Sequence, residues 1–216
     1  MNYYTTDRNE IIKYLNTYEN NKSPSYCNFI IKQLSGIYNY IDCMLVHCGK
    51  SYSGCYAISN NRTTCKKVLD EEKKLAAVLA CNGLGVFLLE ENKNNNPGTH
   101  PDAIINGAVV DFKTLDAESE KELGHHTIRN RYWDAVKKQF SLGAVFYVKN
   151  ISDKCILKLV KNDIECFTGD FILFYHENSN SLQLIYLDKL RNAFCCKKYH
   201  KLNNYQNHNN DSFNKK

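Results

Sequence analysis

HPDAIINGAVVDFK, residues 100–113, is the stretch that decides how this chain folds. Two apolar runs, AII (103–105) and AVV (108–110), flank Asn106-Gly107. A type I′ turn needs positive φ at both central residues, and Asn-Gly tolerates that best, so a tight β-hairpin is expected with arms 102–105 and 108–113. A two-residue turn pairs Ile105 with Ala108, and counting outward sets Asp102 opposite Asp111. Side chains alternate along a strand, so Asp111 and Lys113 share a face. Two neighbouring carboxylates repel, and burying them costs free energy unless a cation is shared. A hard divalent ion with oxygen ligands meets that need: Mg²⁺ first, with Mn²⁺ or Zn²⁺ as alternatives. Lys113 is then placed to orient a water and to stabilise charge on a phosphate.

Working outward, residues 66–83 read as a helix: Leu69, Glu72, Ala76, Leu79 and Ala80 recur at spacings of three and four, and Gly83 stands where a C-cap belongs. Glu72 falls on the core-facing stripe and Glu71, about 100° away, is its competitor. VFLLE (86–90) is a strand and 92–100, rich in Asn, Gly and Pro, a loop. Residues 119–140 read as a second helix, with Ile128, Tyr132, Ala135, Val136 and Phe140 on one face. AVFYVK (144–149) is a strand, and three strand-like runs follow at 155–160, 171–175 and 182–187. The order predicts an α/β fold, a mixed central sheet flanked by helices, in which the second helix is a crossover.

The first 65 residues differ in texture, being rich in Tyr, Asn, Ser and Cys. Apolar periodicity suggests helices over 8–18 and 27–44, and 51–64 is polar and turn-rich, so residues 1–65 read as a helical extension or small module. Residues 66–196 would then form the main domain, and the polar tail 197–216 a disordered segment.

Bulk properties narrow the function classes. No apolar run approaches the roughly 18 to 20 residues that cross a bilayer, and the N-terminus MNYYTTDRNE lacks the pattern of a secretory signal. The net charge of +5 suits a polyanionic partner and equally a plain solvated surface. None of the ten cysteines forms a C-x-x-C pair, which favours free thiols in a reducing compartment over zinc or disulfides.

A loose Asp…(Asp/Glu)-x-Lys pattern with flexible spacing arises by chance in roughly one chain of this size in two or three. What carries weight is its setting: across an Asn-Gly hairpin, after a helix bearing Glu72 and one strand. The stretch E-x-x-x-A-x-x-L-A-x-x-G from Glu72 to Gly83, then VFLLEEN, then HPDAIINGAVVDFK, resembles the PD-(D/E)xK nuclease domains at the C-termini of bacterial contact-dependent growth inhibition toxins and related polymorphic toxins. The resemblance spans about residues 66 to 150. It implies a restriction-endonuclease-like core and a catalytic set of Glu72, Asp102, Asp111 and Lys113, with Glu72, Asp102 and Asp111 as metal ligands. It also implies tRNA rather than DNA as substrate, a cognate immunity protein as partner, and action in the bacterial cytoplasm after delivery from a producing cell. DNA cleavage, or nucleic-acid binding without catalysis, are the alternatives.

The second helix adds a softer pointer. Arg129, Arg131, Lys137, Lys138 and Gln139 surround Tyr132 and Trp133, and basic groups with interleaved aromatics suit a phosphate backbone and unstacked bases. The competing interpretation is a solvated helix with Trp133 in the core. His125-His126 as a metal pair is the weaker option.

Overall fold

The computed structural model describes residues 2–19, 40–48, 51–59, 66–89, 101–117, 123–124, 126–136 and 141–194. Strand β1 (Tyr4–Thr5) leads into helix α1 (Arg8–Asn16), and strands β2 (Tyr40–Cys48) and β3 (Ser51–Ser59) precede helix α2 (Lys66–Cys81). Strands β4 (Gly85–Leu88), β5 (Ala103–Ile105) and β6 (Ala108–Asp116) come next, then helix α3 (Thr127–Val136) and strand β7 (Gly143–Lys149). Helix α4 (Asp153–Asn162) and strands β8 (Phe171–His176) and β9 (Ser181–Tyr186) complete the core, and residues 187–194 are helical.

These strands form one mixed sheet in the order β1-β9-β8-β7-β6-β5-β4-β3-β2. Its three parallel pairs, β3/β4, β6/β7 and β7/β8, are each joined through a helix, namely α2, α3 and α4. Parallel neighbours need such a crossover, whereas the antiparallel run β4-β5-β6 needs only turns. Ile11 and Leu15 of α1 and Leu75, Ala76, Leu79 and Ala80 of α2 pack on one face, against Val86, Val110, Val145 and Leu173. Ile128, Tyr132 and Ala135 of α3 and Ile156, Leu159 and Val160 of α4 cover the other, against Leu115, Phe146 and Phe174. The expected α/β class with helices on both faces of a mixed sheet is therefore present.

The hairpin forms as its turn chemistry requires. Asn106 and Gly107 sit at φ 45° and 88°, and Ile105 pairs with Ala108. Asn106 also ties neighbours together: its Oδ1 accepts the Gly85 N–H at 2.6 Å and its Nδ2 donates to Asn16 Oδ1 at 2.8 Å. Gly83, at φ 88°, closes α2, with Gly83 N–H on the Ala80 carbonyl and Leu84 N–H on that of Leu79. This paired closure turns the chain straight into β4.

Several elements differ from expectation. Residues 40–44, expected to end a helix running from 27, belong to a strand, 40–48, paired with the nine residues of β3; residues 27–39 lie outside the described residues. Ile41, Met44, Leu45 and Val46 satisfy a helical period, but a partner strand two residues downstream offers a complete ladder instead. Among the described residues before position 66, β1 thus lies at one edge of the sheet and β2 and β3 at the other. Residues 155–160, expected as a strand, belong to α4. Ser152 caps that helix by accepting the Cys155 N–H, and Ile156, Leu159 and Val160 face inward at helical spacing. The crossover helix starts at Thr127, not at 119, because Leu123 and Gly124 are non-helical. The tail 197–216 lies outside the described residues. Cys81, Cys155 and Cys166 are free thiols, and no helix among the described residues is long and apolar enough to cross a membrane.

Half-buried tyrosines on α1 and just after it give the fold a directed response to alkali. Burial pushes Tyr14 up to about 12, and burial with the Tyr14 hydroxyl contact raises Tyr18 as well. Burial likewise raises Tyr132 under α3. An unfolded tyrosine ionises near 10, so the folded state holds these protons more tightly; stability is complete below that pH and falls as pH rises toward 12. Urea midpoints at pH 8 and pH 11 should show the drop, and Tyr14→Phe should make it smaller.

Candidate active site

Alternation along β6 sends Val110 and Phe112 toward α2, and Asp111, Lys113 and Leu115 toward α3 and α4. Asp111 is fully buried, and its Oδ2 lies 2.5 Å from Lys113 Nζ. The Lys113 side chain keeps 20 % of its surface exposed. The expected sharing of a face by this carboxylate and this amine is present.

Asp102 arrives by a different route from the one its spacing suggests. The ladder between β5 and β6 stops at Ala103 opposite Val110, so Asp102 is not set across from Asp111. Its N–H donates instead to the Val110 carbonyl at 3.1 Å, and its own carbonyl accepts the Leu89 N–H at 2.9 Å. The next hydrogen-bonded rung of the hairpin would join positions 101 and 112 and send the Phe112 N–H to the Pro101 carbonyl. The Asp102 side chain fills that place: its Oδ2 accepts the Phe112 N–H at 2.8 Å. The buried Asp102 carboxylate thereby sits against the peptide that links Asp111 to Phe112.

Glu72 is buried on the inner stripe of α2, and Glu71 is exposed, which settles which of the two turns inward. Helix α2 lies over the face of the sheet opposite Asp111 and Lys113. Beyond Val110, no strand among the described residues pairs with β6 on its β5 side. Glu72 and Lys113 line one cleft of about 280 Å³ between α2 and strands β6 and β7, which Asp102 and Asp111 do not line. Among the described residues, no three acidic, histidine or cysteine side chains converge closely enough to hold a metal ion. The set Glu72, Asp102 and Asp111 is therefore not gathered into one ligand sphere.

On α3, Arg131 is exposed and Arg129 half-buried, 3.9 Å from the Asp163 carboxylate. Trp133 is 50 % exposed, so it is not a core residue. His126 Nδ1 meets Asp163 at 2.9 Å, a contact that binds α3 to the end of α4. Lys137, Lys138, Gln139 and His125 lie outside the described residues.

The cleft also contains residues that no motif announced. Tyr147 on β7 is buried and donates its hydroxyl to Glu177 Oε1, which also receives Lys74 Nζ at 3.0 Å. Lys149 pairs with Asp116 at 3.1 Å. The Tyr147 hydroxyl and the Lys74 amine hold Glu177 below the usual carboxylate range. Burial and then Glu177 raise Tyr147, while Tyr147 and Glu177 raise Lys74. Four separate elements supply these groups, so only the fold brings them together; the one local hint is Tyr147 and Lys149 on the same side of AVFYVK.

No family model, no curated protein and no solved structure matches this chain.

Proposed function

We propose that this chain is a metal-dependent nuclease that hydrolyses phosphodiester bonds, with RNA, and tRNA in particular, as substrate. One observation carries the proposal: a fully buried aspartate, a lysine that touches it and lines the cleft, and a second buried aspartate bonded to the next peptide N–H of the same strand. Buried charges of one sign on neighbouring backbone are costly to maintain in a purely structural role.

The donor set suits a hard divalent ion. Mg²⁺ is commonly held by one or two carboxylates, with water and substrate phosphate filling its other positions, so Asp102 and Asp111 suffice as protein ligands. Such an ion, when bound, polarises the phosphate and lowers the pKa of a bound water. Lys113 reaches from Asp111 to the cleft and neutralises charge developing on the phosphate oxygens. Glu72, on the helix wall of the same cleft, supplies the third acidic group. The exposed Arg131 and Trp133 offer a charge and a stacking surface to a longer substrate.

RNA is preferred over DNA on the resemblance to polymorphic toxins, which also implies an immunity protein that silences the site in the producing cell. A non-catalytic nucleic-acid-binding module is the second reading, favoured by the closed contact between Asp111 and Lys113. Incubating purified protein with total tRNA and with DNA, with and without Mg²⁺ and a chelator, separates the readings. Cleavage of tRNA that needs Mg²⁺ is expected, and Asp111→Ala should lower it by about 10³-fold or more while the chain still folds. Binding without cleavage under every metal condition would leave only the second reading.

A further inference from the structure

The part of the cleft away from Glu72 holds a charged arrangement that hydrolysis does not use. Lys74 Nζ lies 5.1 Å and Lys149 Nζ 5.8 Å from the centroid of the Tyr147 ring. Both distances fall within the range over which an aromatic face attracts a cation. Lys74 comes from α2 and Lys149 from the end of β7, so one ring gathers two amines from opposite walls. The ring itself is fixed: Tyr147 is buried, and its hydroxyl is committed to Glu177. Lys74, Lys113, Tyr147 and Lys149 all line the cleft. In the ladder, Lys113 stands beside Phe146 and Lys149 beside Asp116. Three rungs separate those levels, roughly 10 Å along the strands.

We infer that Lys74 and Lys149, seated on Tyr147, form a phosphate-positioning subsite for single-stranded nucleic acid, holding a backbone phosphate that neighbours the one Lys113 addresses. The inference rests on the nuclease reading for its substrate class. Glu177 and Asp116 act as place-holders for the phosphate. Their pairs with Lys74 and Lys149 are solvent-exposed, with side-chain exposures of 59 and 36 % in one and 34 and 54 % in the other. Exposed pairs of this kind are weak and exchange readily for another anion. The cleft, at about 280 Å³, is at the small end of ligand pockets, so it takes a short length of one strand, and a duplex would touch only its rim. Lys74 and Lys149 are positioning residues; the bond-breaking groups lie at the other end.

The test is the affinity of the full chain, carrying Asp111→Asn to prevent cleavage, for a labelled single-stranded RNA 12-mer and its duplex across a salt series. Adding Lys74→Ala and Lys149→Ala together should weaken single-strand binding by about tenfold or more and lessen the slope of log K against log salt by about 0.7, the value for the one backbone phosphate left without its lysines. Glu177→Gln removes a competing anion and still accepts from Tyr147, so it should tighten binding about threefold. A purely structural network predicts the opposite sign for Glu177→Gln. An unchanged salt slope in the double-lysine chain, weaker binding by Glu177→Gln, or equal preference for the duplex would overturn the inference. Cleavage is scored separately with native Asp111: if the binding results hold and no tRNA is cut, the subsite stands and the hydrolytic reading falls.

Discussion

Lys113→Ala should cost the fold about 3 to 5 kcal/mol and abolish cleavage, while Asp111→Asn added to it should return most of the stability and none of the activity. The asymmetry comes from burial. Asp111 is fully buried with the Lys113 ammonium 2.5 Å away, so removing the ammonium takes a counter-charge from a carboxylate that solvent does not reach. Lys113 keeps 20 % of its side chain exposed at the cleft, so the reverse loss, Asp111→Asn alone, leaves an amine that can hydrate. That single change should therefore cost about 1 to 2 kcal/mol, nearer the value of one hydrogen bond to a charged group. Urea unfolding of the parent, both single variants and the double variant measures the coupling directly. Mg²⁺ supplies a second readout that does not depend on turnover. If Asp102 and Asp111 hold a divalent ion, that ion replaces the missing ammonium in Lys113→Ala and raises its midpoint more than that of the parent. Saturation to about a hundred times Kd is worth about 2.7 kcal/mol. Four unfolding curves that add without coupling, together with no response to Mg²⁺ in Lys113→Ala, would remove both the ion pair and the metal from the account.

How far the chain is legible from its residues alone depends on the range of the interaction that decides each feature. The hairpin at Asn106-Gly107 is legible because two residues with positive φ settle it, and Asp111 and Lys113 follow because strand alternation is local. Asp102 does lie near Asp111, but counting rungs supplies an incomplete reason. The count ignores the register break that sends the Asp102 N–H to the Val110 carbonyl, so the carboxylate, and not the ladder, makes the connection to Phe112. Helix α4 escapes the sequence reading although Ser152 and the spacing of Ile156, Leu159 and Val160 announce it, because CILKLV also satisfies the shorter strand template. The strand at 40–48 is not legible at all, since only its pairing with β3 distinguishes it from a helix. The same holds for the cluster of Lys74, Tyr147 and Glu177. Its members are up to 103 positions apart, and nothing local to any of them signals the others.

Glu72→Gln should lower turnover by about 10² to 10³-fold, and Glu71→Gln should leave it within about threefold, although the two residues are neighbours on one helix. One residue along α2 is about 100° of rotation. That step separates a carboxylate that is 8 % exposed, on the stripe with Leu75, Ala76 and Leu79, from an exposed one, although both line the cleft. A glutamate at a core-facing position displaces an apolar side chain there, and burying its charge costs free energy. Glutamine preserves the volume and removes the charge. If Glu72 serves the fold alone, Glu72→Gln should lower the urea midpoint and leave turnover near that of Glu71→Gln. If it serves the reaction across the cleft, the midpoint rises or holds while turnover collapses. Dissociation of stability from activity is therefore the informative outcome. Equal rates for the two variants would confine the chemistry to the β6 side of the cleft, to Asp102, Asp111 and Lys113.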